Sequence, residues 1–376
     1  MSESLVLVFV IGFCVSFANG ANDVSKSIAT LVGSGIANYG RAIAWGTLWT
    51  ASGAVVAALV TRAMLQTFGS ISRSSTIHPF STAIAAIVGT VLWIAIATYA
   101  SLPVSTTHAI VGSLIGVAIF NGGLAQVNWS VLTGKIAIPM LLSPILAFGL
   151  TIGLLKIWRD FAPDVAEDCI CIEVQDDFDA PRSEAAIAQS IAAQPLAASL
   201  RLASCDAANR FSAGVTIRHL HWISSGFASF SRALNDTPKM VALLVGAALV
   251  SGGTRPLSGS YYGVAALGMT AGSWIAGRRV TNLLARKVTP MDHREGFAAN
   301  LVTAALVGIG APLGLPMSTT HVASGAILGI AAEQRTPANR KVIVEMMIAW
   351  VVTLPASGLL SVVVLMMLNK TTLSAR

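Results

Sequence analysis

Two copies of one short pattern constrain this chain more than anything else in it. Pro103-Val104-Ser105-Thr106-Thr107-His108 returns 213 residues later as Pro316-Met317-Ser318-Thr319-Thr320-His321. The same shift carries Asn22-Asp23-Val24-Ser25-Lys26 onto Asn235-Asp236-Thr237-Pro238-Lys239, and Gly112 and Gly116 onto Gly325 and Gly329. Three separated patterns related by one offset identify a tandem duplication. In both copies the Pro-x-Ser-Thr-Thr stretch interrupts apolar sequence, so it must break a helix rather than decorate a surface.

The solvent of most of the chain is not water. Of 376 residues, 54% are hydrophobic and 11% charged, against roughly 25% charged in a soluble globular chain. The net charge of +7 is scattered between apolar segments, which argues against nucleic acid as a partner. Cys14 lies in an apolar run and reads as a packing residue. Cys169, Cys171 and Cys205 lie in the one long polar stretch, with spacing that fits neither a C-x-x-C redox pair nor a structural zinc site. No metal or cofactor is expected. Met1-Ser2-Glu3-Ser4 lacks the basic start of a secretory signal, so the run that follows reads as a retained transmembrane helix.

Spans need about 20 apolar residues. In the first copy they fall at 5–31, 41–65, 80–100, 105–120 and 131–158; in the second at 221–250, 259–276, 296–311, 318–331 and 342–368. The fold class that follows is an all-α polytopic membrane protein. Its two repeats, 1–159 and 210–376, have about five apolar segments each and flank a linker at 160–209. The fourth segment of each copy is short for a span, which points to broken or re-entrant helices at the Pro-x-Ser-Thr-Thr motifs. An odd number of crossings per copy makes the repeats inverted, the pattern of secondary transporters. Lys and Arg near the segment ends favour the side holding Arg41, Lys156, Arg159, Arg278 and Arg279. By the positive-inside rule that side is cytoplasmic, both termini face outward and the linker is a cytoplasmic, flexible connection. The apolar exterior is free to face lipid or a second copy of the chain.

The chemistry follows from residue type. Proline ends one helix and serine caps the next, so the hydroxyls of Ser105, Thr106 and Thr107, and of Ser318, Thr319 and Thr320, lie beside free amides at a positive helix terminus. Such a terminus binds oxyanions, and two facing one another would surround a tetrahedral anion. An aspartate inside an apolar span costs about 2.5–3.5 kcal/mol and marks a functional site. Asp23 and Lys26, like Asp236 and Lys239, share a helix face. The carboxylates with Asn22 and Asn235 suit a hard cation or a proton, and the ammoniums of Lys26 and Lys239 suit the anion. A mutual ion pair that eases insertion is the plainer alternative. Proline at 238 should kink or start a helix. His108 and His321 follow each threonine pair and read as supporting residues. The glycines at 112, 116, 325 and 329 read as close-packing faces, and Trp45, Trp49, Trp93, Trp274 and Trp350 as packing or interfacial anchors.

With these residues in view the chain resembles the inorganic phosphate transporter family of membrane symporters. That family carries Gly-Ala-Asn-Asp near the start of each half and Pro-x-Ser-Thr-Thr-His later. Here the halves read Asn19-Gly20-Ala21-Asn22-Asp23 and Arg232-Ala233-Leu234-Asn235-Asp236. The resemblance covers both halves and implies a central anion site with cation-driven symport. By matching position, Ser105, Thr106, Thr107, Ser318, Thr319 and Thr320 hold the anion, and Asn22, Asp23, Asn235 and Asp236 hold the coupling cation. The chain departs from the family at Lys26 and Lys239, where members often have small or polar residues. It also has no acid at Thr50 or at Gly263, 213 positions on. The expected function is therefore a symporter of inorganic phosphate across the cell membrane, driven by H+ or Na+. Sulfate is the alternative substrate and an anion channel the more distant reading. No H-E-x-x-H and no G-x-S-x-G suggests an enzyme.

Overall fold

The computed structural model describes residues 3–71, 79–161, 169–173, 199–202, 212–250, 258–335 and 338–374. Arg73, His78, Cys205, Arg255 and most of the linker lie outside them. The first repeat contains α1 (Glu3–Asp23), α2 (Ser25–Gly33), α3 (Tyr39–Val60), α4 (Arg62–Gly69), α5 (Pro79–Tyr99) and α6 (Thr106–Gly122). It ends in the short α7 (Trp129–Val131), which passes through a π-helical turn at Leu132–Ala137 into α8 (Ile138–Phe161). The second contains α9 (Ile217–Val250), α10 (Ser258–Ala276), α11 (Arg278–Arg286), α12 (His293–Gly310), α13 (Thr319–Glu333) and α14 (Arg340–Ser374). Between α8 and α9, β1 (Cys169–Glu173), β2 (Ser199–Leu202) and β3 (Ser212–Thr216) form an antiparallel sheet in the order β2-β1-β3. The connection expected to be flexible thus carries strands at its described residues.

Among the described residues, six helical segments are long and apolar enough to cross a membrane. Polarity is arranged inside out. Leu59 is 78% exposed on the outer face while Asp23, deep in the bundle, is 1% exposed, the distribution that lipid rather than water selects. The short segments are as expected: α6 has 17 residues and α13 has 15. At 1.5 Å per residue these reach about 25 and 22 Å, less than a hydrocarbon core of about 30 Å.

The same turn breaks the chain in both copies. Ser101 and Gly314, 213 positions apart, both have left-handed φ (62° and 70°). The next amides, Leu102 and Leu315, bond back to Ala97 and Gly310 carbonyls at 2.8 and 3.0 Å. This is the left-handed helix ending, followed by a proline that prevents resumption. Glycine adopts it without steric penalty and serine does not.

Packing is reciprocal between the copies. α1 lies on α10 and α9 on α3; α6 lies on α14 and α13 on α8. The motif glycines set the closeness. A Cβ on Gly112 would strike the Leu354 carbonyl, and one on Gly325 the Pro144 carbonyl. At Gly116 and Gly329 it would come within 2.6 and 2.8 Å of the carbonyl oxygens of Gly358 and Phe148. Two sequence expectations need correction. The constant shift fails in the second helices: Gly53 lies against Phe230 and Gly272 against Phe17, a spacing of 219 for the glycines and 213 for the phenylalanines. The counterpart of Thr50 is therefore Met269, not Gly263. Of the two outcomes expected at Pro238, a kink or a helix start, the start is excluded, since α9 runs through it for 34 residues, whereas the first copy breaks at Val24 between α1 and α2. Buried in a bundle, a proline helix survives because neighbouring groups satisfy the freed backbone.

Candidate functional site

The two Pro-x-Ser-Thr-Thr stretches meet at the centre, with the N-termini of α6 and α13 tip to tip. Ser105 and Ser318 have the extended backbone of an N-cap (φ −88°, ψ 113° and φ −84°, ψ 104°). Each hydroxyl accepts from an amide three residues on, His108 at 3.2 Å and His321 at 3.3 Å. Ser318 Oγ also donates to Ser105 Oγ at 2.9 Å. The threonines cross over. Thr320 Oγ1 donates to the Val104 carbonyl at 2.7 Å, and Thr107 Oγ1 to the Met317 carbonyl at 3.5 Å. Thr106 and Thr319 are buried beside them. The imidazoles of His108 and His321 lie with centroids 4.6 Å apart, tilted 51° to one another, and His321 lies against Trp350 with centroids 4.0 Å apart. Four first-turn amides, those of Thr106, Thr107, Thr319 and Thr320, thus sit around one seam ahead of the first intrahelical bond of each helix.

The acid–base pairs pack directly against this seam. Lys26 forms an ion pair with Asp23, and its Nζ also donates to Asn22 Oδ1 at 2.8 Å and to the carbonyls of Asn22 and Val104, each at 3.3 Å. Lys239 repeats the arrangement with Asp236 Oδ1 at 2.8 Å, Thr107 Oγ1 at 2.7 Å and the Met317 carbonyl at 3.2 Å. Val104 and Met317 are equivalent positions, so each lysine reaches the carbonyl just before its own repeat's capping serine. Asn22 Nδ2 donates to Thr98 Oγ1 at 2.9 Å and to the Leu102 carbonyl at 3.1 Å; Asn235 Nδ2 donates to Met317 O at 3.0 Å and to Asp236 Oδ1 at 2.9 Å. The Ser, Thr, Asn, Asp and Lys residues singled out at the two motifs are therefore in one buried cluster, with His108 half-buried at its edge.

Two members of that cluster were missed. Asn19 Nδ2 lies 3.1 Å from Asp23 Oδ2, 3.2 Å from Asp236 Oδ2 and 3.1 Å from Thr106 Oγ1, so it joins both carboxylates and one helix tip. Thr106 in turn donates to Asp23 Oδ2 at 3.1 Å. The residue 213 positions after Asn19 is Arg232, fully buried and close enough to Asp23 and Asp236 to feel both. Its Nη2 donates to Thr50 Oγ1 at 2.5 Å, while Nε and Nη1 have no partner among the described residues. Among the described residues the amide oxygens of Asn19 and Asn235 also have no partner. The sequence signal was there: a buried cation at the position of a buried amide, one turn ahead of the second Asn-Asp.

The centre is sealed. The large crevice nearby, about 880 Å3, opens on the outer face between α1, α5, α10 and α11 and is lined by Phe13, Cys14, Phe17, Tyr99 and Arg278. Cys14 is thus exposed, not packed inside as expected. Thr98 lines the crevice and accepts from Asn22, which makes it a link between that opening and the buried cluster.

A helical bundle wrapped in apolar side chains, with five charged groups buried at its centre around two opposed helix tips, is a polytopic membrane protein with a charged interior. The chain belongs to the phosphate transporter family, whose pattern matches residues 19–361. It is similar along nearly its whole length to phosphate permeases of Pyrococcus furiosus (27% identical, covering 95% of this chain and 94% of that one) and Pyrococcus horikoshii (25%, 95% and 96%). A low-affinity inorganic phosphate transporter of Bacillus subtilis is 25% identical over 97% of each chain. Among solved structures, a sodium-dependent phosphate transporter superposes with a TM-score of 0.77 at 22% identity, over 98% of this chain and 99% of that one. That similarity establishes the shared fold.

Proposed function

We propose that this chain is a secondary carrier that brings inorganic phosphate across the cell membrane, binding it at the seam between α6 and α13. The observation that carries the reading is the pairing of two opposed helix N-termini with a buried arginine, two of whose three nitrogens have no partner among the described residues. Helix termini and guanidinium groups are both oxyanion binders. In this reading Thr106, Thr107, Thr319 and Thr320 supply amides and hydroxyls, and Ser105 and Ser318 fix the tips. Arg232 supplies two charged donors. Lys26 and Lys239 add positive field, with His108 and His321 supporting the tips from behind. Asn22, Asp23, Asn235 and Asp236 link anion occupancy to the coupling ion, H+ or Na+.

Phosphate is favoured over sulfate by the acceptors left over. Near neutral pH phosphate carries one or two P–OH groups that must donate, and the unpartnered oxygens of Asn19 and Asn235 are acceptors for them. Sulfate has nothing to donate and would leave both orphaned. The reciprocal packing and the tip-to-tip meeting of α6 and α13 support inverted repeats at 1–159 and 210–376, joined by the linker at 160–209. Transport then proceeds by rocking of one repeat-derived bundle against the other around a midplane site. The charge asymmetry of the segment ends supports outward termini and a cytoplasmic linker.

The test is uptake of radiolabelled phosphate by proteoliposomes holding the full chain, with unlabelled sulfate as competitor. Accumulation against a gradient that sulfate barely inhibits is the expected result. Sulfate accumulation with poor phosphate uptake would transfer the site to sulfate. Flux that never concentrates either anion would make the protein a channel.

A further inference from the structure

The oxygen atoms gathered around the two lysines are those of a cation site. Around Lys26 Nζ stand the Asp23 carboxylate, the Asn22 amide oxygen and the carbonyls of Asn22 and Val104. Around Lys239 Nζ stand the Asp236 carboxylate, the Thr107 hydroxyl and the Met317 carbonyl. A carboxylate with amide, hydroxyl and carbonyl oxygens is the hard donor set that small alkali cations take. The carbonyls of Val104 and Met317 are those freed where the helices break, which is where carriers of this architecture hold Na+. Here each place is filled by an ammonium that brings one positive charge and cannot leave.

We infer that Lys26 and Lys239 are tethered occupants of two cation places, so that the carrier moves its anion without taking Na+ from solution. The inference rests on the phosphate reading above and decides between the two coupling ions named there. Charge count supports it. Lys26, Lys239 and Arg232 face Asp23 and Asp236, all five being buried, so the centre already carries one excess positive charge. A dissolved cation entering first would meet occupied oxygens and raise that excess to two in a low-dielectric interior, where such charge is costly. An entering monoanion cancels it instead. The two lysines thus separate this chain from a carrier in which binding waits for a cation.

The experiment compares phosphate uptake by proteoliposomes in Na+ medium and in medium with Na+ replaced by N-methylglucamine, at fixed pH and clamped potential. Wild type should take up phosphate equally in both. Lys26→Ala and Lys239→Ala empty the places; their uptake should fall in N-methylglucamine and recover with Na+. Na+ should also raise the thermal midpoint of the alanine variants and leave that of wild type unmoved, a readout that needs no transport. Lys26→Met and Lys239→Met fill the volume without charge and should show no Na+ response in either measurement. Wild-type uptake that requires Na+ would overturn the inference while leaving phosphate transport standing. Alanine variants whose midpoint ignores Na+ would also overturn it. Absence of phosphate uptake by wild type in every medium would instead remove the phosphate reading on which the inference depends.

Discussion

Arg232→Met is the perturbation that separates holding an anion from holding the fold. In the structure the guanidinium makes one hydrogen bond, to Thr50, and buries Nε and Nη1 without partners among the described residues. Thr50 Oγ1 also donates to the Gly46 carbonyl at 2.6 Å, so removing the arginine does not orphan it. An unpartnered buried donor costs about 1–3 kcal/mol. Replacing the arginine with an apolar chain of similar length should therefore raise the stability of the substrate-free protein by that order. The bound state changes in the opposite direction. Counting only one of the two charge-assisted hydrogen bonds that Arg232 offers the anion, the loss is at least about 1.5–3 kcal/mol, which at 1.4 kcal/mol per decade weakens binding by at least about 10- to 150-fold. The assays are thermal unfolding in detergent with and without phosphate, and KM for uptake in proteoliposomes. A variant that is less stable without phosphate, with KM unchanged, would refute the reasoning, because it would mean that Arg232 is satisfied structurally and does not face the anion.

Three further outcomes are expected. Asp23→Asn leaves Lys26 buried without its carboxylate, a break of about 3–5 kcal/mol; membrane insertion should survive, coupled uptake should not, and the added Lys26→Met change should restore thermal stability without restoring uptake. Thr106→Val and Thr319→Val should each raise the phosphate KM about fivefold, the effect of one neutral hydrogen bond near 1 kcal/mol, and an effect in only one of them would refute a two-sided cradle. Gly112→Ala and Gly325→Ala put a methyl group against the backbone of α14 and α8 and should each cost about 1–3 kcal/mol through overpacking, visible as a lower thermal midpoint in detergent.

The duplication made most of the fold legible, because proline, serine and a left-handed turn act locally and so leave the same marks in both copies. Ser101 and Gly314 adopt one conformation with different side chains, and the capping role of Ser105 and Ser318 follows from their place after a proline. What stayed hidden depends on contacts between distant segments. No motif anchors α3 or α10, so only the seating of Gly53 on Phe230 and of Gly272 on Phe17 reveals that their spacing is 219. The role of Asn19 is invisible until folding brings Asp23, Asp236 and Thr106 around one amide. For Lys26 and Lys239 charge alone leaves two readings, a donor to the anion and an ion pair with the aspartate three residues before; the structure shows the ion pair in both copies. Arg232 was in view, yet it breaks the symmetry that made its neighbours conspicuous.

The tip-to-tip contact of α6 and α13 has a mechanical meaning. Each helix presents about half a positive charge at its N-terminus, so the serine–serine hydrogen bond clasps two like poles across a seam. In the proposed reading an anion lodged there acts as mortar between the two poles, and its departure leaves the serine–serine hydrogen bond alone to hold them together. Release of the cargo would then loosen the joint, so the helices that grip the anion would also be the ones its loss sets free to part.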